Sequence, residues 1–357
     1  MRARIALVYN QPETDCYANP HDEAAVVAVL EAVHAVEQAL LELGYDFVLV
    51  PFAPPVEEIK PKLAALQVQV VFNLFEGFYG APETEALIPE ACEQLDIAYT
   101  GCPAPVLRLG LDKARAKALL KSAGVRTPDF QVLDPATLGT FHLNFPCIVK
   151  PRADDASNGI SETSVVHDLA GLTRQVEFVS KAFGGDALVE EYVDGREFNA
   201  AGMGNRDCLV LPASEIVFSL PEGLPRILSF DAKWQEDSAY FVGTRAVCPA
   251  DITTAERKQI VQTVTKVYRL FGCRGYARVD MRMDKTGKIN VIEVNPNPDI
   301  SPGNGAARQA EAFGLTYAQF IDRIVRLAME RHGGFSDLAP DDGRGQSGDY
   351  APSAEHS

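Results

Sequence analysis

YARVDMRMDKTGKINVIEVNPNPDISPG, Tyr276 to Gly303, reads as two apolar strands around a short polar turn, followed by a stretch whose prolines forbid regular structure. In a strand, residues two apart share a face. Arg278 and Asp280 therefore point one way, as do Glu293 and Asn295. A loop of four residues between Asp284 and Ile289 sets Asp280 opposite Glu293, so that all four polar groups meet on one surface. Two carboxylates and an amide oxygen are hard ligands suited to Mg2+ or Mn2+, with water and phosphate completing the shell. An arginine beside them stabilises charge that the metal does not reach. The bland reading of the same residues is an exposed hairpin of mixed charges. Against it stand the apolar setting (Val279, Met281, Val291, Ile292, Val294) and the exit through Pro296, Pro298 and Pro302, which suits a binding loop.

A divalent ion held by two carboxylates usually brings a polyphosphate, yet the chain has no GxxxxGK[ST] and no GxGxxG. The positive charge must come from elsewhere. Lys150 ends the buried strand FPCIVK, and the loop after it, RADDASNGIS, is polar and small enough to fold its N–H groups around phosphate oxygens. In isolation Lys150 reads equally as a lysine leaving the core for solvent; Lys113 in LDKARAK and Lys233 in FDAKW are weaker candidates alone, because surface lysines are common. In LVEEYV, Glu190, Glu191, Tyr192 and Val193 could give a purine an acceptor and strand backbone groups, with Glu197 on the ribose.

Outward from these motifs, residues 4–100 alternate strand and helix patterns (RIALVY, a helix from Asp22 to Leu43, FVLVPF, a helix from Val56 to Leu66, VQVVFNLF, a helix from Glu83 to Leu95, IAYT). Repeated βα units predict a parallel, doubly wound α/β sheet. GCPAPV, 101–106, reads as a linker, and a helix from Asp112 to Ala123 follows. An Asp194-Gly195 turn between two β-rich runs predicts a hairpin. Helices are expected over 168–183, 253–271, 306–313 and 316–331, and the Gly-, Ser-, Asp- and Pro-rich stretch from Gly333 as a disordered tail.

With 357 residues the chain has room for two or three cores, and its formal charge of −16 argues against a nucleic-acid partner. No apolar run approaches the ~18 residues of a membrane span. MRARIALVYN lacks a secretory core, and seven scattered cysteines without a CxxC pair fit a reduced cytoplasm.

Taken together, the chain resembles the ATP-grasp superfamily, in its D-alanine–D-alanine ligase-like branch, over about residues 97–330. LDKARAKALLKSAGVRTP, FPCIVKPRADDASNGIS, LVEEYVDGREF, FDAKW, ARVDMRMD, IEVNPNPDISPG and AARQAEAFGLTYAQFIDRIV carry the resemblance through their order and spacing. It implies an N-terminal α/β domain (1–105), a central ATP-grasp subdomain (106–187), a C-terminal subdomain with the metal site (188–332) and a tail (333–357), with ATP held between two α+β subdomains. It also implies Lys113 and Lys150 on ATP phosphates under a lid containing Ser157, Glu190 to Val193 on adenine, Glu197 on ribose and Lys233 at the phosphates. Asp280, Glu293 and Asn295 would bind two Mg2+ ions, and Arg278 would stabilise the tetrahedral intermediate of amide formation. Related ligases are often homodimers.

The substrate side departs from that pattern. NQPETDCYANPHDE stands where the family has a serine- and glutamate-containing loop, and Glu76 in NLFEGFYGAPETE falls where a histidine is expected. Trp234 replaces a usual tyrosine, Asn304 a serine and Asp299 a glycine. Glu76, Asp299 or Glu83 could recognise an amine; each also reads as an ordinary loop residue. The expected activity is therefore ADP-forming carboxylate–amine ligation of amino acids or related small molecules. A D-alanine–D-alanine ligase proper, a small-molecule kinase and a non-catalytic nucleotide-binding module are the rivals.

Overall fold

The computed structural model describes residues 3–11, 20–78, 80–153 and 159–331, and only the backbone of residues 20–28 and Trp234. The first strands, β1 (Arg4–Asn10), β2 (Asp46–Phe52), β3 (Val70–Leu74) and β4 (Ala98–Tyr99), form a parallel sheet in the order β2-β1-β3-β4. Its helices are α1 (Pro20–Glu42), α2 (Ile59–Ala64) and α3 (Leu87–Leu95). Alternation along β1 sends Ala6 and Val8 to a face covered by Ile59, Leu63, Ile88 and Ala91 of α2 and α3. Ile5 and Leu7 go to the other face, under Val33, Val36 and Leu40 of α1. Both faces are apolar, as a covered parallel sheet requires.

Two helices follow where a linker and one helix were expected: α4 (Ala104–Leu111) and α5 (Lys113–Ser122). Asp112 separates them because its side chain caps α5, accepting from the Arg115 N–H at 3.1 Å. A second sheet, antiparallel in the order β5-β8-β6-β7, comprises β5 (Phe130–Leu133), β6 (Cys147–Pro151), β7 (Val165–Val166) and β8 (Ala187–Glu191). It packs on α6 (Leu169–Phe183) through Leu172, Val176 and Val179. Since β8 hydrogen-bonds both β5 and β6, this sheet runs to Glu191, so the division expected at 187/188 cuts through a strand.

The third sheet is antiparallel, β12-β11-β9-β13-β14, with β10 on β9. Its strands are β9 (Arg196–Gly204), β10 (Leu209–Val210), β11 (Ser214–Phe218), β12 (Thr244–Val247), β13 (Gly275–Met283) and β14 (Ile289–Asn295). Short helices α7 (Phe230–Trp234) and α8 (Ala239–Gly243) lie between β11 and β12, and α9 (Thr254–Phe271) packs on one face of the sheet. α10 (Gly305–Ala312) and α11 (Tyr317–Arg331) end the fold, and α11 returns to the first sheet, placing Phe320, Ile321, Ile324 and Val325 in the core of Ile5 and Leu7.

The hairpin expected at Asp194-Gly195 does not form. Both edges of β8 are taken by β5 and β6, and those of β9 by β11 and β13, so Tyr192 to Gly195 carries the chain from one sheet to the other. Gly195 is needed there for close approach: a Cβ on it would lie 1.8 Å from the Met283 carbonyl oxygen. Among the described residues no helix is long and apolar enough to cross a membrane.

Candidate active site

Between the second and third sheets lies an open cleft. Its walls hold Lys150, Glu190 to Val193, Glu197, Lys233, Arg278, Asp280, Arg282 and Glu293, with Ile148, Ile160, Ile227, Met281 and Ile292 as apolar surface. A few charged groups converging on an apolar slot between domains is the ordinary form of a small-molecule site.

At one end, Asp280 pairs with Glu293 across β13 and β14. The pairing arises differently from the expected turn. Met283 pairs with Ile289, and a one-residue shift between Asp280 and Met281 leaves Ile292 extra in β14, bringing Glu293 opposite Asp280. Arg278 holds Asp280 with two bonds, Nε to Oδ1 at 2.7 Å and Nη2 to Oδ2 at 2.8 Å. Asn295 Nδ2 donates to Asp280 Oδ2 at 3.0 Å and to Glu293 Oε1 at 3.4 Å, and Lys113 Nζ lies 4.0 Å from Glu293 Oε2.

The two carboxyls are driven apart in acidity. Burial raises Asp280 above the ordinary value despite Arg278. Burial acts the same way on Glu293, but Lys113, Lys150, Arg278 and Lys233 outweigh it and hold that carboxyl at about 2. Among the described residues no three His, Cys, Asp or Glu side chains are grouped to hold a metal. Two carboxylates with one amide fit a hard divalent ion whose shell is completed by water and phosphate.

Lys150 leaves β6 almost fully buried, with Nζ 2.9 Å from Glu190 Oε2 on β8. Burial pushes its ammonium down to about 8; Glu293 opposes the shift and Lys113 adds to it. Toward the other end, Glu197 accepts from Arg282 Nε at 3.0 Å and Nη2 at 2.5 Å. Arg282 Nη1 also donates to the Val193 carbonyl at 2.9 Å, and its guanidinium lies 5.2 Å from the centre of the Tyr192 ring. The Tyr192 N–H is bonded to the Pro146 carbonyl at 2.9 Å. Glu191 turns its carboxylate to Asn144 Nδ2 at 2.7 Å, consistent with alternation along β8. Lys233 reaches the cleft from α7.

The residues proposed for substrate contact gather elsewhere. Glu76 and Asp299 line a smaller cavity with Leu74, Asn297, Pro298, Ile300, Val29 and Ala32, where the end of β3 meets the exit loop of β14. Asp299 accepts from the Ser301 N–H and Oγ, both at 2.7 Å, and from Asn304 Nδ2 at 2.6 Å. Glu83 is exposed and borders neither cavity. Ser157 and the Trp234 side chain lie outside the described residues.

Two participants escaped the sequence reading. Arg282 continues the face of Arg278 and Asp280 by the same two-residue step, a signal that was available in RVDMR. Lys117 stands one helical turn after Lys113 in LDKARAK and is 1% exposed, with Nζ 2.6 Å from Glu190 Oε1.

The family described as “D-ala D-ala ligase C-terminus” matches residues 119–326, more than half of the chain. The chain belongs to the D-alanine–D-alanine ligase family. It is 32% identical over 331 residues to “Uncharacterized protein y4sG” of Sinorhizobium fredii, covering 93% of this chain and 94% of that protein. With the D-alanine--D-alanine ligase of Haemophilus influenzae it shares 29% identity, over 83% of this chain and 94% of the relative. The ligase of Bacillus anthracis solved with ATP superposes with a TM-score of 0.71 at 20% identity, over 93% of this chain and 99% of that one, which shows the ATP-grasp fold. As a member of this family the chain is an ATP-dependent, ADP-forming carboxylate–amine ligase acting on small molecules.

Proposed function

We propose that this ligase activates a small carboxylic acid as its acylphosphate and transfers it to an amine, with a substrate pair other than two D-alanines. The observation that carries the reading is the separation of two sites. The wide cleft gathers the lysines and carboxylates fitted to a nucleotide, while Glu76 and Asp299 wall a small cavity at the end of the first sheet. An acidic wall favours a cationic amine over a second carboxylate.

In this reading adenine lies on Glu190 to Val193 against Ile148 and Met281, and Glu197, fixed by Arg282, takes the ribose. Lys113, Lys150 and Lys233 face the phosphates. Asp280, Glu293 and the Asn295 amide would hold one or two Mg2+ or Mn2+ ions, which when bound neutralise phosphate charge. An oxygen of the substrate carboxylate attacks the γ-phosphorus and ADP departs. The amine then attacks the acyl carbon, loses a proton and expels phosphate, leaving an amide. Arg278 packs against the first turn of α10, where a Cβ on Gly305 would lie 3.3 Å from its Nη1. Arg278 and the N–H groups that open α10 are the donors for the oxyanion.

The test is incubation with ATP, MgCl2 and pools of amino acids and carboxylic acids, read by mass spectrometry. A product equal to two reactants less one water supports ligation and names the substrates. D-alanyl-D-alanine as the main product would return the chain to its relatives' named reaction. A phosphorylated product formed without any amine would make it a kinase.

A further inference from the structure

Three side chains from three elements form a charge triad behind the cleft. Lys117 on α5 and Lys150 on β6 bind opposite oxygens of Glu190 on β8, Oε1 at 2.6 Å and Oε2 at 2.9 Å. Lys117 also donates to Thr127 Oγ1 at 2.9 Å. All three charged residues are at least 96% buried, with relative exposures of 1% for Lys117, 4% for Lys150 and 1% for Glu190. Their positions relative to the cleft differ. Lys150 and Glu190 border it, whereas Lys117 lies behind Glu190 and is not part of the wall. A ligand in the cleft therefore meets Lys150 directly and Lys117 only through Glu190.

Two lysines thus face one carboxylate; burial and the nearby Lys150 push the Lys117 ammonium well below its ordinary range, which makes Glu190 at 2.6 Å the partner that sustains its charge. If Lys150 alone faced Glu190, drawing its ammonium toward a phosphate would leave a buried carboxylate without a counter-ion, which is strongly unfavourable. Lys117 removes that penalty because its bond to Glu190 persists while Lys150 turns to the ligand. We infer that Lys117 is a positioning residue for nucleotide binding, serving as the permanent counter-ion of Glu190 so that Lys150 can commit its charge to the polyphosphate. This rests on the assignment of Lys150 to the phosphates. It adds to that assignment a residue that no phosphate touches.

The experiment compares a non-hydrolysable ATP analogue, in MgCl2, with adenosine, by calorimetric titration of the full chain. Adenosine has no phosphate, so the ratio of the two affinities isolates the phosphate contribution and corrects for changes at the adenine end. Lys117→Met is expected to lower the ATP-over-adenosine preference by about tenfold or more, with adenosine affinity held within about threefold. In Glu190→Gln the carboxylate that competes for Lys150 is gone, so adding Lys117→Met to it should change the preference by less than about threefold. This second comparison decides the matter even if Lys117→Met alone does not fold, since the double variant removes one buried positive and one buried negative group together and leaves the net charge of the triad unchanged. An unchanged preference in Lys117→Met, with the preference lost in Lys150→Met, overturns the inference. So does a further tenfold loss on adding Lys117→Met to Glu190→Gln. If Lys150→Met keeps the full preference, the assignment of Lys150 itself falls, a result distinguishable from the other two.

Discussion

Asp280 and Glu293 face each other yet differ in the charge around them. Glu293 sees four cations and stays ionised at about 2, whereas Asp280 is spoken for by Arg278 and raised by burial. Glu293→Gln removes one of the proposed metal ligands and should depress turnover roughly 10–100-fold or more, with a smaller effect on ATP affinity. Arg278→Ala should spare nucleotide binding and cut amide formation by about 10²–10³-fold. Steady-state kinetics beside calorimetry checks both, and near-normal turnover in Glu293→Gln would count against its place in the site. Lys150 sets a pH dependence. Glu190 on β8 faces it directly, Lys117 and Lys113 approach from α5, and Glu293, Arg282 and Glu197 from the third sheet. Because burial lowers its ammonium to about 8, its charge is present below that pH and lost above it. Polyphosphate favours the charged form, so ATP affinity should fall as pH rises from 7 to 9.5 while adenosine affinity stays flat. Above 8 binding should also take up protons, which titrations in two buffers of different ionisation enthalpy would reveal. At this scale the sequence was largely legible, since period-two alternation placed Arg278, Asp280, Glu293 and Asn295 on one face. Lys117 was hidden because a lysine one turn from another on a helix looks like a solvated face until the fold buries it.

Among the elements, β14 shows how a correct placement can follow from an incorrect turn. The expected four-residue loop is one residue longer, and the extra Ile292 in β14 offsets the difference. It also turns an apolar side chain into the cleft beside Glu293. Nothing in INVIEVN marks that irregularity, because either Ile292 or Glu293 could follow Val291 across the strand. The misread hairpin at Asp194-Gly195 has a related cause: a turn sequence reports a reversal of direction, not which sheet receives the next strand. Its glycine now serves the close passage of Met283, so Gly195→Ala should destabilise by about 3 kcal/mol, the upper end for an overpacked site. Urea unfolding would measure it, and a variant as stable as the parent would mean that the connection relaxes without strain. The α4–α5 junction was missed for a simpler reason. Asp112 caps the second helix, and Pro103, which opens the first, reads in sequence as a linker residue.

Across the whole molecule, three sheets keep separate cores in part and share one in another. The core of the first sheet includes Phe320, Ile321, Ile324 and Val325 of α11 together with Ala201, Met203 and Tyr276 of the third. Ile324 is fully buried there, and Ile324→Ala should cost about 2–5 kcal/mol. Hydrogen exchange should then rise in β1 and β3 as well as in α11; a loss of protection confined to α11 would show that the shared core is only nominal. The sequence could not disclose this, since periodicity identifies an apolar helical face without naming the surface it covers. The same return of the last helix orders events in the cell. While the ribosome is still adding residues, the face of the first sheet that α1 shares with α11 is covered by α1 alone. The more than two hundred residues between β4 and the start of α11 take on the order of 10–40 s to translate. During that interval the nascent N-terminal domain leaves part of that apolar face open to solvent, a natural target for holdase chaperones.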